Sequence, residues 1–237
     1  MIRLILFSWF VWLLMPTALQ AQGGRQEHPE GDAVTSQLWR DSLARLNAEI
    51  RLHPRSTDLR LKKAAVNIEL AQWDYAAEEY SRVLEIDENN LAALFYRAYV
   101  HVEQRRYDLA RADYERFLTL VPKNFEAQLG LATVKRKMGR QADAMDELNR
   151  LVQLFPDSAL AYAARADYEA SLGQYEIALY DWDEALKRHP GDLSLTLSRV
   201  DVLIALRHHD EAWHQLQQLL KSGVPRAQLK SWIDRCK

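Results

Sequence analysis

Four polar residues near the C-terminus form the one cluster whose types could bind a metal ion: His208, His209, Asp210 and His214. Asp210 and His214 are four residues apart and would share one face of a helix, where carboxylate and imidazole are groups that zinc accepts. His209, however, lies 34 residues after Tyr175, at a position where aromatic residues recur. We therefore expect a structural or solvent-exposed role for the cluster, with no metal site and no cofactor.

Signatures of catalysis and of nucleic-acid binding are missing from the sequence. It contains neither the phosphate-binding motif G-x-x-x-x-G-K-[ST] nor the nucleophile motif G-x-S-x-G. Carboxylates such as Asp143, Asp146 and Glu147 fall at predicted solvent positions on helices, so we expect no catalytic residue and no enzyme. The basic run at 135–137 lacks aromatic residues interleaved on its face and is expected to face solvent, and the net charge is −2. We therefore expect no nucleic-acid partner.

The first 21 residues have the layout of a secretory signal peptide. Arg3 precedes an apolar run from Leu4 to Met15, and Ala21 is a small residue suited to the cleavage site. The run is shorter than the roughly 20 residues of a membrane-spanning helix, although an uncleaved inner-membrane anchor remains the alternative. Residues 22–32 are polar and are predicted to form a flexible linker.

This N-terminus predicts an exported protein of the bacterial periplasm or cell envelope, without a membrane span once the signal peptide is cleaved. The single cysteine, Cys236, is the second residue from the C-terminus and follows no apolar run, so it is not expected to carry a lipid. As the only cysteine, it cannot form a disulfide within the chain.

The remainder of the chain repeats with a period of 34 residues. Alanines recur at Ala76, Ala110, Ala144, Ala178 and Ala212. A bulky apolar residue follows each alanine by four positions: Tyr80, Tyr114, Leu148, Trp182 and Leu216. Residues favoured as helix N-caps recur at Ser56, Asn90, Asn124, Ser158 and Asp192. Each period therefore predicts a first helix of about 14 residues, a short turn and a second helix.

This pattern resembles the tetratricopeptide repeat, which implies an all-α, right-handed α-solenoid of antiparallel helix pairs over residues 33–237. One pair cannot bury its apolar stripe alone, so the units must stack. The predicted units are 57–90, 91–124, 125–158, 159–192 and 193–226. A lone N-terminal helix over 33–53 and a C-terminal capping helix over 226–237 are expected to close the array.

The first helices depart from the family pattern at one position, where basic residues replace an apolar one. An acidic residue follows three of them by 16 positions. We predict three structural ion pairs, each between the two helices of one unit: Lys63–Glu79, Arg97–Asp113 and Arg165–Asp181. Arg199 is the exception, because the residue 16 positions after it is the uncharged Gln215. The alternative is that these arginines line a ligand site.

The resemblance also implies a binding groove, because the first helices of tetratricopeptide arrays line a concave surface that takes peptides or partner helices. By register, the candidate binding residues are Phe95, Tyr99, Val102, Leu129, Thr133, Arg136 and Asp167. Phe95 and Tyr99, one turn apart, would anchor a partner, and Arg136 with Lys137 would bind an acidic group of it. The competing interpretation is that Phe95 packs between repeats and that Arg136 is merely solvated.

The sequence thus predicts a non-enzymatic protein–protein interaction scaffold of the cell envelope, with a protein or peptide as its partner. Two alternatives stay open. One is a self-associating structural protein, a homo-oligomer in contact through Trp39 and Trp232 near the two ends. The other is an accessory subunit of an envelope or carbohydrate-handling enzyme complex.

Overall fold

A computed structural model describes residues 29–236, in which every regular element is an α-helix. The helices are α1 (Pro29–Leu52), α2 (Thr57–Glu69), α3 (Trp73–Ile86), α4 (Leu91–Glu103), α5 (Tyr107–Leu120), α6 (Phe125–Lys137), α7 (Gln141–Leu154), α8 (Ala159–Ser171), α9 (Tyr175–Arg188), α10 (Leu193–Ala205), α11 (His209–Lys221) and α12 (Lys230–Arg235). The predicted signal peptide over 1–21 and the first part of the predicted linker lie outside the described residues.

The described helices belong to two compact units that divide after Glu147. The N-terminal unit holds α1 to α6 and the start of α7, and the C-terminal unit holds the rest. Within each unit, most helix contacts are between consecutive helices, and the short turns make those neighbours antiparallel. The predicted fold class, an all-α solenoid of helix pairs, is confirmed.

Each first helix of a pair (α2, α4, α6, α8 and α10) begins at the predicted N-cap residue. In all five, the cap side chain accepts a hydrogen bond from the backbone N–H three residues later. This bond satisfies one of the N–H groups that the first turn leaves unpaired. The first helices have 13 residues, one fewer than expected.

The turn between the two helices of each unit contains one residue in the left-handed backbone region. Gly139 and Gly173 occupy it with φ of 75° and 76°, as glycine does without strain. In the other three units, Ala71, Arg105 and Arg207 adopt φ between 53° and 62°. The turn geometry is thus set by the repeat as a whole, because three units keep it at a cost of about 1 kcal/mol per side chain.

The alanine positions explain how closely the helices approach one another. Ala76, Ala110, Ala144, Ala178 and Ala212 are all fully buried. Gly130 on α6 marks a still closer approach, because a Cβ there would lie 2.6 Å from Cζ of Tyr114. Tyr114 is itself only 2% exposed. The small residues therefore leave the space that the buried aromatic rings fill.

Both terminal helices differ in extent from the sequence prediction. Helix α1 begins at Pro29 rather than at Ala33, and proline is well tolerated in a first helical turn. The predicted closing helix over 226–237 is reduced to α12, because the backbone at 228–230 forms i→i−3 turn bonds after Pro225 instead. Within the described residues, no helix is both long and apolar enough to cross a membrane.

Candidate functional site

The three predicted ion pairs are present and join the two helices of their units. They are Lys63–Glu79, Arg97–Asp113 and Arg165–Asp181. The lysine pair has a single contact of 2.7 Å, while each arginine makes two hydrogen bonds of 2.6–2.8 Å to its aspartate. The carboxylate side chains are at most 8% exposed. These basic groups therefore hold the fold together and are not free to line a ligand site.

The arginines also reach the second helix of the preceding unit, 16 residues back. Nη1 of Arg97 donates to Oγ of Ser81 at 3.0 Å. Arg199 makes only this backward contact, with Nε 2.5 Å from Oδ1 of Asp183. Arg199 has no acidic residue 16 positions later, and it pairs with the carboxylate that lies 16 positions earlier.

The third unit replaces the missing arginine with a lysine one turn later. Leu131 occupies the arginine position, and Nζ of Lys135 lies 2.6 Å from Oε1 of Glu147. Gln128 donates to the other oxygen of Glu147. Lys135 and Glu147 are 14% and 12% exposed, so the prediction that both face solvent is wrong. They supply the helix-joining ion pair of this unit.

The histidine cluster lies at the start of α11. His208 and His209 are exposed. The described residues contain no group of three or more His, Cys, Asp or Glu side chains placed to hold a metal ion. Asp210 and His214 instead line an open cleft of about 400 Å³ next to Arg199.

Three of the predicted binding residues lie together on α4. Phe95, Tyr99 and Val102 are half-buried and pack against the core of the N-terminal unit. The ring centroid of Phe95 lies 5.7 Å from that of Tyr114 and 5.8 Å from that of Phe117. Part of the Phe95 ring therefore packs between helices, as the competing interpretation held. Each of the three side chains nevertheless keeps some exposed area.

The other four predicted residues contribute less to one surface. Leu129 is 4% exposed, so its side chain offers almost no area to a partner. Thr133 is half-buried, and Arg136 is exposed. Asp167 is exposed but belongs to the C-terminal unit. The predicted set is therefore divided between two units, and only the α4 residues form a cluster.

Two apolar residues of α2 extend the α4 cluster. Leu61 and Ile68 are half-buried and pack against the same core. Ile68 is absent from the predicted set, although its register position is that of Val102, 34 residues later. We call the five side chains of α2 and α4 the N-terminal surface: Leu61, Ile68, Phe95, Tyr99 and Val102.

Tyr99 is the polar group at the centre of this surface. Burial raises the pKa of Tyr99 to about 12, and the carboxylates of Glu103 and Glu69 add to the shift. The phenol is therefore a neutral hydrogen-bond group at physiological pH. Its ring meets Trp73 edge-on, with centroids 6.3 Å apart.

Solved structures with the same architecture are numerous. One is MamA, with 20% identity, 73% of this chain and 94% of that chain covered, and a TM-score of 0.60. PilF of Pseudomonas aeruginosa has 20% identity, coverage of 87% and 98%, and a TM-score of 0.61. YrrB, described as a TPR protein with an unusual peptide-binding site, has 19% identity, coverage of 74% and 91%, and a TM-score of 0.54. At these identities the likeness concerns the fold alone.

A family model for the tetratricopeptide repeat matches residues 95–159. Residues 95–159 are therefore assigned to the tetratricopeptide repeat family. No curated protein sequence matches it significantly. The matched segment begins at Phe95 in α4 and runs through α7, so it includes the α4 part of the N-terminal surface. In tetratricopeptide register, α2 and α4 are first helices, the helices that line the concave groove of such arrays.

Proposed function

We propose that this tetratricopeptide repeat protein is a non-enzymatic interaction scaffold of the bacterial cell envelope. It binds a peptide or a segment of a partner protein on the N-terminal surface. The fold supports the binding role, since stacked helix pairs present side chains along a continuous face without enclosing a catalytic pocket. YrrB, which is similar in fold, is described as having a peptide-binding site, and this also supports the proposal.

The observation that carries the proposal is the half-exposed apolar surface of α2 and α4. Leu61, Phe95 and Val102 each rest on the core on one side and keep accessible area on the other. Apolar and aromatic side chains held rigid in this way are the usual anchors of an interface. Covering them with a partner removes apolar area from water, which contributes about 25 cal/mol per Å².

Location in the envelope rests on the N-terminal sequence. The apolar run from Leu4 to Met15, with Arg3 before it and Ala21 after it, fits a signal peptide. Mass spectrometry of the protein from fractionated host cells tests this. A mature chain that starts at Gln22 in the periplasmic or envelope fraction is the expected result. A chain that keeps Met1 and fractionates with the cytoplasm contradicts it.

Self-association is the second candidate, and an exposed apolar pair favours it. Trp232 is only 4% exposed, so it cannot make the predicted contact at the C-terminal end. Ile177 and Tyr180, one turn apart on α9, are 53% and 61% exposed. Gel filtration with light scattering over a wide concentration range decides. A monomer at every concentration ends this candidate, and a dimer that the Tyr180→Ser variant abolishes supports it.

Binding at the N-terminal surface is tested by photo-crosslinking in the native host. A photoreactive residue replaces Tyr99 in one variant and Tyr75 in a control. Tyr75 is 62% exposed on α3, a second helix, so it reports non-specific contact. One partner protein captured at position 99 and absent at position 75 supports the proposal. Identical adducts at both positions, or none at position 99, contradict it.

A further inference from the structure

Two acidic residues, Glu69 and Glu103, lie beside the N-terminal surface near Tyr99. Glu69 and Glu103 occupy the same register position, one turn after Ala65 and Tyr99, in the last turns of α2 and α4. Asp58, at the other end of α2, is paired with Lys62 at 2.6 Å. Glu103 is exposed and forms no ion pair or hydrogen bond with the described residues. Its negative charge is therefore open to a partner.

Tyr99 lies within the field of both carboxylates. Glu103 follows Tyr99 by four residues on α4, so the two side chains share one face of the helix. The carboxylates of Glu103 and Glu69 also help to raise the pKa of Tyr99. Glu103 acts on the neighbouring Tyr114 in the same way. A half-exposed aromatic ring beside carboxylates attracts a cation through two interactions. One is with the negative face of the ring, and the other is with the negative charges of the carboxylates. The same group of side chains repels an anion.

We propose that the N-terminal surface selects a basic amphipathic segment, with a lysine or arginine anchored at Tyr99 beside Glu103. Apolar residues of the same segment cover Phe95 and Leu61. This inference rests on the proposed function, because it names the chemistry of the partner for the same surface. It differs from the expectation from the sequence, in which Arg136 would bind an acidic group of the partner.

Fluorescence anisotropy with matched peptides tests the inference. The probe is a labelled 14-residue peptide of leucine and lysine in an amphipathic helical pattern, and its counterpart has glutamate in place of every lysine. We expect the lysine peptide to bind the purified chain and the glutamate peptide to bind at least tenfold more weakly. Binding should weaken as salt rises, because exposed charges are screened.

Two substitutions and one control locate the cation site. Glu103→Gln removes one charge with little change in shape, and Tyr99→Leu removes the ring while keeping an apolar side chain. Each should weaken the lysine peptide by about three- to tenfold. The control is Glu85→Gln, which makes the same charge change at an exposed position of α3. It should leave the affinity unchanged and so excludes an effect of net charge alone.

Three results would overturn the inference. They are no binding of the lysine peptide, binding of the glutamate peptide with equal or higher affinity, and equal effects of Glu103→Gln and Glu85→Gln. Its failure is distinct from failure of the proposed function. A partner crosslinked at position 99 through a segment without lysine or arginine removes the basic anchor and leaves the binding surface. Absence of any adduct at position 99 removes the binding surface itself.

Discussion

Arg165 donates two hydrogen bonds to Asp181, from Nε to Oδ2 at 2.6 Å and from Nη2 to Oδ1 at 2.8 Å. A third donor of the same guanidinium, Nη1, lies 3.0 Å from Oδ1 of Asn149. One arginine on α8 therefore connects two other helices, α9 and α7. Asp181 is fully buried, so its charge depends on this contact.

Replacing Arg165 with alanine should destabilise the C-terminal unit. The change leaves the buried carboxylate of Asp181 without its cation, and loss of one partner of a buried pair costs about 3–5 kcal/mol. Urea unfolding of the variant should show a midpoint well below that of the wild type. Lys187→Ala is the control, because Lys187 forms a solvent-exposed pair with Glu184 on α9. Equal midpoints for the two variants would contradict a structural role for the Arg165–Asp181 pair.

Glu169, one turn after Arg165, should make stability depend on pH. Burial, together with the nearby Asp181, raises the pKa of Glu169 from 4.5 to about 7. The folded state thus binds a proton that the unfolded state releases, so stability should fall as pH rises from about 4.5 to about 7 and then level off. Oε2 of Glu169 is buried without a hydrogen-bond partner in the described structure, which agrees with a protonated group.

Glu169→Gln checks that dependence, since the amide keeps the shape and cannot ionise. Thermal melts between pH 5 and pH 8 should show a smaller decline for the variant than for the wild type. Above pH 7 the variant should be the more stable of the two. Parallel curves for both proteins would show that Glu169 does not cause the pH dependence.

Gly130→Ala should destabilise the N-terminal unit. The new methyl group would lie 2.6 Å from Cζ and 2.9 Å from the hydroxyl oxygen of Tyr114, whose ring is buried and cannot move freely. Overpacking of this kind costs about 1–3 kcal/mol. Thermal unfolding measures the effect, with Thr133→Ala as a half-buried control on the same helix. A melting temperature as high as that of the wild type would mean that α5 and α6 do not approach as closely as described.

A double-mutant cycle should show that Lys135 and Glu147 are coupled. Both side chains are mostly buried, so the interaction energy from alanine substitutions should be about 0.5–3 kcal/mol. The matched cycle is Lys62 with Asp58, an exposed pair one turn apart on α2. Its coupling should be much smaller because water screens the charges. Purely additive effects at Lys135 and Glu147 would assign the stability to packing alone.

Features that follow from the 34-residue repeat were predictable from the sequence. Features that depend on how far a long, flexible side chain extends were not. The N-caps, the buried alanines and three ion pairs follow from spacing alone. The Lys135–Glu147 pair does not, because the lysine lies one turn away from its register position and a flexible side chain spans the difference. The burial of Leu129 was also missed. The register predicts which face of a helix a residue lies on, but it does not predict how far neighbouring side chains cover that residue.

The N-terminal surface was predicted only in part. Phe95, Tyr99 and Val102 follow from the register of tetratricopeptide first helices. Glu103, four residues after Tyr99 on α4, also follows from the sequence. Glu69 does not, because it becomes a neighbour of Tyr99 only when α2 packs beside α4. Charge taken residue by residue along the sequence cannot show that assembly.

Hydroxyl-radical footprinting of the complex with the partner captured at position 99 tests the central claim, that α2 and α4 form the binding surface. Oxidation is measured on the free chain and on the complex. The account predicts that Tyr99 and Leu61 lose reactivity in the complex, while Tyr75 and Leu109, exposed on the second helices α3 and α5, do not change. Unchanged oxidation of Tyr99 with protection at Tyr75 and Leu109 would contradict it.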